Sequence, residues 1–160
     1  MEVPKRGDYL RVITCELERL HSHFLWLGLA AHIIGFDSLF MMCFEKREKI
    51  MDMLETLSGN RVNYAMNIIG GARRDINDEI EKDLREKLSI LKEDFKAIFD
   101  IYANDKTVAL RTKGVGVLTN EDAFIYGACG PHGRASGMKD DVRKVDPYCS
   151  YDDFDFKAIV

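Results

Sequence analysis

Two short stretches concentrate side chains suited to holding an anion. Gly70-Gly71-Ala72-Arg73-Arg74-Asp75 sets two guanidinium groups just after a flexible glycine pair. A guanidinium stays charged and offers five donors. From local sequence the two can form surface ion pairs with Asp75 or Asp78, or face an outside anion. The second stretch, Gly127-Ala-Cys-Gly130-Pro-His-Gly133-Arg-Ala-Ser-Gly137, is glycine-dense. Glycine lets backbone amides approach a ligand closely. Its spacing fits neither the Walker loop nor the dinucleotide fingerprint. It reads as a tight loop presenting His132 and Arg134.

The histidines do not form a metal site. His21 and His23 stand at i and i+2, so on a helix they point to different faces. Glu16, Arg19 and His23 fall at i, i+3 and i+7 and form one polar strip. With Asp75 they make up the structural polar residues expected of the chain. Cys15, Cys43, Cys129 and Cys149 lie far apart, and none belongs to a CxxC pair. No metal ligand set is therefore expected, and the thiols read as reduced and cytoplasmic.

The elements that must position these residues are mainly helical. From Asp8 to Ile34, Leu10, Ile13, Leu17, Leu20, Phe24, Leu27 and Ala31 alternate steps of three and four. That spacing lines one helix face. Beyond Phe24 the polar face disappears, because Leu25, Trp26, Leu29, Ile33 and Ile34 are apolar too. Such a helix end needs cover on every side, which implies a partner chain or flanking sequence.

Gly35 ends this helix. A second spans Leu39–Leu57, with Phe40, Phe44, Met51 and Leu54 inward. Arg61–Ile69 reads as an extended connector, and Gly70–Gly71 as a turn. The most regular helix runs from Asn77 to Tyr102, with Ile80, Leu84, Leu88, Leu91, Phe95, Ile98 and Tyr102 inward. A short helix over 104–111 follows, and Thr119 with Asp122 signals a capped start at Asn120. The expected fold is mainly α, a bundle of long amphipathic helices with a loop-rich C-terminal third. It is read as one domain over 1–160, with a helical core at 8–111 and a loop-rich segment at 112–160.

The bulk composition agrees with a packed core. Apolar residues make up 46% and charged residues 31% of 160, which disfavours wholesale disorder. The net charge of −4 argues against a nucleic-acid partner, since such binders need a basic surface. The most apolar window, Phe24–Phe44, is interrupted by His32 and by Gly35-Phe36-Asp37, so no direct membrane span is expected.

Several strings resemble one family in collinear order. Arg11-Val-Ile-Thr-Cys-Glu16-Leu-Glu-Arg19-Leu-His-Ser-His23 is similar to the first long helix of the large subunit shared by membrane-bound [NiFe] hydrogenases and respiratory complex I. Glu45-Lys-Arg-Glu48 through Ser58-Gly59-Asn-Arg61 resembles that family's EREK…SGxR segment, and Ile69 to Asp75 its GGxRRD segment. Gly114 to Ala123, Tyr126 to Gly137, and Asp141-Val-Arg143-Lys144-Val-Asp146-Pro147-Tyr148 follow in the family's order.

The resemblance implies a helical core packed against an iron–sulfur small subunit, with membrane subunits as further partners. It implies a peripheral position on the cytoplasmic face of the membrane. Arg73 falls where complex I members carry a histidine beside the neighbouring subunit's terminal cluster. A cation there would stabilise a reduced cluster. Arg74 and Asp75 would orient it, and His132 and Arg134 would line the same interior region. The nickel-binding CxxC motifs of the hydrogenase members are absent, and Ile33 stands where many relatives have an acid.

By this resemblance the chain looks like the middle of a longer subunit, inactive alone and binding no cofactor by itself. A nickel–iron centre with iron–sulfur clusters, or a quinone, would belong to the parent complex. The Arg73–Arg74 pair favours the hydrogenase branch. The alternatives are a quinone-side fragment of NADH dehydrogenase and a non-catalytic scaffold or assembly protein.

Overall fold

The period of apolar residues in the N-terminal third becomes a single long helix, α1, over Lys5–Ile33. The computed structural model describes residues 2–160. Leu10, Leu17, Phe24 and Ala31, seven residues apart, are buried along one stripe of α1. Ile13, Leu20 and Leu27 pack against the same core. The helix ends where Gly35 takes φ +77. The Phe36 amide then donates to the Ala31 carbonyl at 2.8 Å, closing the last turn.

After that tight turn, α2 spans Asp37–Ser58 and packs along α1. Gly28 makes the approach possible. A Cβ there would sit 2.7 Å from the Phe44 ring. The inward face of α2 differs from the expected one. Leu39, Cys43, Ile50, Met53, Leu54 and Leu57 are buried, while Phe40, Phe44 and Met51 are half-buried at its flank. The apolar residues of α2 cover more than one stripe, so packing against α1 decides which stripe is central. The Phe44 ring takes the space Gly28 leaves, with Cys43, fully buried, beside it.

A two-residue hairpin follows, β1 (Asn67–Ile68) paired antiparallel with β2 (Gly71–Ala72). Gly70, at φ +88, supplies the left-handed turn residue. The expected connector is thus shortened by a small sheet. Helix α3, Asp78–Asn104, starts at Asn77, whose side chain accepts the Ile80 amide at 2.9 Å. Leu84, Leu91 and Ile98 bury one stripe of α3, whereas Leu88 and Phe95 of the expected face stay exposed. Tyr102 donates its hydroxyl to the Leu27 carbonyl, tying α3 to α1.

The apolar end of α1 is not covered within its own unit. Trp26 is 61% and Ile33 81% exposed, and Met41 of α2 is exposed too. Among the described residues no helix is long and apolar enough to cross a membrane.

The chain divides into two compact units between Arg111 and Thr112, near the end of α4 (Lys106–Thr112). The second unit contains α5 (Asn120–Ile125), α6 (Gly130–Ala135), α7 (Val142–Val145) and a 3₁₀ turn at Tyr151–Asp153. Thr119 caps α5 by accepting the Asp122 amide at 3.1 Å. Within the glycine-dense stretch, read from sequence as a tight loop, Gly130–Ala135 forms α6, with Pro131 near its N-terminus. Gly133 is buried there because a Cβ would lie 2.6 Å from the Ala128 carbonyl oxygen.

Candidate functional site

The segment from Ser58 to Ile76 joins α2 to α3 and carries Arg73, Arg74 and Asp75. A two-residue strand pair is marginal by itself, so other bonds must hold it. Arg11 of α1 supplies two. Its Nε donates to the Gly71 carbonyl at 3.1 Å and its Nη2 to the Ile68 carbonyl at 2.8 Å. These carbonyls flank the turn, so one guanidinium clamps both sides of it. Asp8, one turn back, lies 3.4 Å from Arg11 Nη1.

Arg6 holds the far end. Its Nε lies 2.8 and 2.9 Å from the Asp75 carboxylate oxygens, and its Nη2 donates to the Ile76 carbonyl at 2.9 Å. The Ile76 amide and the Arg6 side chain both donate to Asp75, holding its carboxyl below the usual range.

Arg73 binds its own loop. Nη2 donates to the Ser58 carbonyl at 2.5 Å and to the Tyr64 carbonyl at 3.3 Å. Its amide donates to the Met66 carbonyl at 2.9 Å. Arg74 is exposed, with its guanidinium against Gly59. Of the partners open to these arginines, Asp75 is taken by Arg6. Arg6 stands in the first turn of α1, sixty-nine residues from Asp75 in sequence.

A second polar chain lies beside the loop. Arg47 of α2 donates through Nη2 to His21 Nε2 at 2.5 Å and through Nε to the His21 carbonyl at 3.3 Å. The Tyr64 hydroxyl lies 3.4 Å from His21 Nδ1. Since Arg47 can only donate, His21 Nε2 accepts and the ring is neutral. Burial, aided by the Arg47 charge, holds the His21 pKa below its ordinary value. Burial and then the Glu18 charge raise that of Tyr64. A groove of about 390 Å³ opens here, lined by Thr14, Glu18 and residues 62–67.

In the polar strip, Arg19 Nε is 3.2 Å from Glu16 Oε1, and His23 is exposed. Asp75 lies with Arg6 instead of in that strip. In the second unit, Arg134 donates to the Asp140 carbonyl at 3.4 Å and lies 3.9 Å from Asp141. Asp141 is buried and takes Arg143 Nε and Nη2 at 2.9 and 2.7 Å. Those bonds hold its pKa at about 2. His132 is exposed, and its carbonyl accepts the Ser136 amide and hydroxyl. Arg73 and Arg74 therefore belong to one unit, and His132 and Arg134 to the other.

Sequence reasoning did not single out Arg6, Arg11, Arg47 or Tyr64 for these roles. The partners that give them these roles are distant in sequence, so no local pattern announced them. Among the described residues, no three His, Cys, Asp or Glu side chains gather where they could hold a metal ion. The arginines around the loop have donors and no acceptor lone pairs. They fit a place beside an anionic group and cannot serve as its metal ligands.

The profile of the family described as respiratory-chain NADH dehydrogenase, 49 Kd subunit, matches residues 34–160. The chain is 41% identical to the membrane-bound hydrogenase subunit alpha of Pyrococcus furiosus, over 99% of this chain and 37% of that protein. It is 39% identical to an NADH-quinone oxidoreductase subunit from Desulfotalea psychrophila, over 98% of this chain and 42% of the relative. A chain in the structure of the membrane-bound sulfane sulfur reductase, an archaeal respiratory membrane complex, superposes with a TM-score of 0.91 at 32% identity. That match covers 98% of this chain and 42% of the other. The chain thus spans about two fifths of the length of these relatives.

Proposed function

This chain belongs to the respiratory-chain NADH dehydrogenase 49 kDa subunit family, and on that premise we propose that it serves as part of the large subunit of a membrane-associated oxidoreductase complex. It packs against an iron–sulfur subunit, peripherally on the cytoplasmic face of the membrane, and has no turnover alone. The hydrogenase branch is the first reading, supported by the hydrogenase relative and the Arg73–Arg74 pair. The quinone-side subunit of NADH dehydrogenase is the second, favoured by the family profile and the NADH-quinone oxidoreductase relative.

The observation that carries the proposal is the arginine-clamped segment Ser58–Ile76. Arg11, Arg6 and Arg73 each bind its backbone carbonyls. A loop built this way holds a fixed shape, as a surface beside a redox centre requires. A partner's iron–sulfur cluster would supply the electron transfer. The residues of that segment would position it, exclude water and stabilise its reduced charge. Hydrogenase, NADH-quinone oxidoreductase and sulfur reductase are names of relatives that share this segment. The segment therefore supports the common electron-transfer scaffold more directly than any one reaction.

The test is reconstitution of the full-length subunit with its iron–sulfur partner. A cysteine placed at exposed Ile69, carrying a photo-crosslinker, should capture that partner, and the complex should evolve hydrogen or reduce a quinone. Crosslinks that never include an iron–sulfur subunit would sink the reading.

A further inference from the structure

Five arginines surround the Ser58–Ile76 segment, and four have acceptors within the chain. Arg6 takes Asp75 and the Ile76 carbonyl. Arg11 takes two hairpin carbonyls and Asp8. Arg73 takes the Ser58 and Tyr64 carbonyls. Arg61 takes Asp52 at 2.7 Å, Glu55 at 3.3 Å and Glu48. Among the described residues Arg74 has neither a hydrogen bond nor an ion pair.

Its position is nonetheless defined. A Cβ on Gly59 would lie 2.9 Å from Arg74 Nη2 and 3.0 Å from Nη1. Gly59 is at φ +82, where a side chain is disfavoured anyway, so the α2 terminus leaves a seat for this guanidinium. Seating costs Arg74 some of the freedom that a solvated surface arginine keeps. The neighbouring acids are already engaged by Arg6 and Arg61.

We infer that Arg74 docks a carboxylate on the partner subunit, while Arg73, likewise exposed but bonded to the Ser58 and Tyr64 carbonyls, clamps the loop. A planar carboxylate matches the two-donor fork of a guanidinium, and the surrounding clamps hold the fork in place before the partner arrives. The inference rests on the proposed packing against an iron–sulfur subunit and assigns one contact within it.

The experiment uses the full-length subunit with its purified iron–sulfur partner, with affinity measured across a salt series. Arg74→Gln should weaken association roughly tenfold and flatten its salt dependence, because one charge-assisted pair is lost. Arg74→Lys should recover part of the affinity, since it keeps the charge without the fork. Arg85→Gln removes an exposed α3 charge paired with Glu81 and should change nothing. Wild-type affinity and salt slope in folded Arg74→Gln, verified by circular dichroism, would overturn the inference. Equal losses in Arg74→Gln and Arg85→Gln would also overturn it, by showing a general charge effect. Failure of the unaltered protein to bind the iron–sulfur partner would overturn the proposed function itself.

Discussion

Replacing Arg11 by alanine should loosen the hairpin before it unfolds the bundle. The guanidinium is 19% exposed and donates at 3.1 and 2.8 Å to the carbonyls on either side of the turn. A hydrogen bond from a charged donor contributes about 1.5–3 kcal/mol when removal leaves its partner buried. Here the freed carbonyls can turn to water, so the pair together is taken at about 2 kcal/mol. The i,i+3 contact with Asp8 adds only a few tenths, about 0.3 kcal/mol. Since 1.4 kcal/mol is a factor of ten, local opening should rise roughly thirtyfold.

The reporter is the Arg73 amide, which donates to the Met66 carbonyl just outside the two paired strands. Its hydrogen exchange should accelerate by about that factor in Arg11→Ala, while amides in the middle of α1 and α2 change little. Arg11→Lys should give an intermediate rate, because one ammonium cannot span both carbonyls as a fork does. An Arg73 exchange rate within about threefold of the parent would refute the clamp. It would mean that the strand pair and the Arg73 side chain alone hold the loop.

Other consequences are equally direct. Phe24 is almost fully buried, and Phe24→Ala should cost about 3–5 kcal/mol in urea unfolding of the bundle; a loss under about 1 kcal/mol would show the site collapses freely. Gly133→Ala forces a Cβ to 2.6 Å from a backbone carbonyl that cannot yield, so it should lower the thermal midpoint of the second unit, whereas an unchanged melt would contradict the close approach. Asp141 has a carboxyl depressed to about 2 by Arg143, so its contribution is full above the unfolded value near 3.8 and is lost as pH falls toward 2. That shift corresponds to about 2 kcal/mol, and Asp141→Asn should remove most of the stability change over this acidic window. Identical pH profiles for the two proteins would exclude that account.

The helices were legible because their information is local. Leu10, Leu17, Phe24 and Ala31 repeat every seven residues, and the same stripe is buried in the fold. Thr119 and Asp122 announced α5 through a cap that spans three residues. The inward face of α2 was not legible, since Phe40 and Cys43 both satisfy a helical period. Packing against α1 decides it: Cys43 is fully buried, while the Phe44 ring fills the room left by Gly28. α6 was missed because its glycines read as loop, although Gly133 is required by a carbonyl packed against it.

The loop site separates two kinds of information in the same six residues. That Arg73 and Arg74 are cations on one turn is written in the sequence, but their acceptors are not. Asp75 is adjacent to Arg74 and yet pairs with Arg6, because α1 brings a guanidinium whose fork reaches both carboxylate oxygens and the Ile76 carbonyl. With Asp75 taken, Arg73 donates to a carbonyl released at the end of α2, where the Ser58 C=O has no further helical turn to accept from. Arg74 follows it by one residue and lies with its guanidinium against Gly59. Two adjacent identical side chains thus acquire different tasks from one long-range pair. Neutralising Asp75 should test this directly: with Asp75→Asn the Arg6 pair weakens, and the Arg73 amide should exchange faster although no group touching Arg73 has changed. An unaltered Arg73 amide would show that the two ends of the loop are held independently.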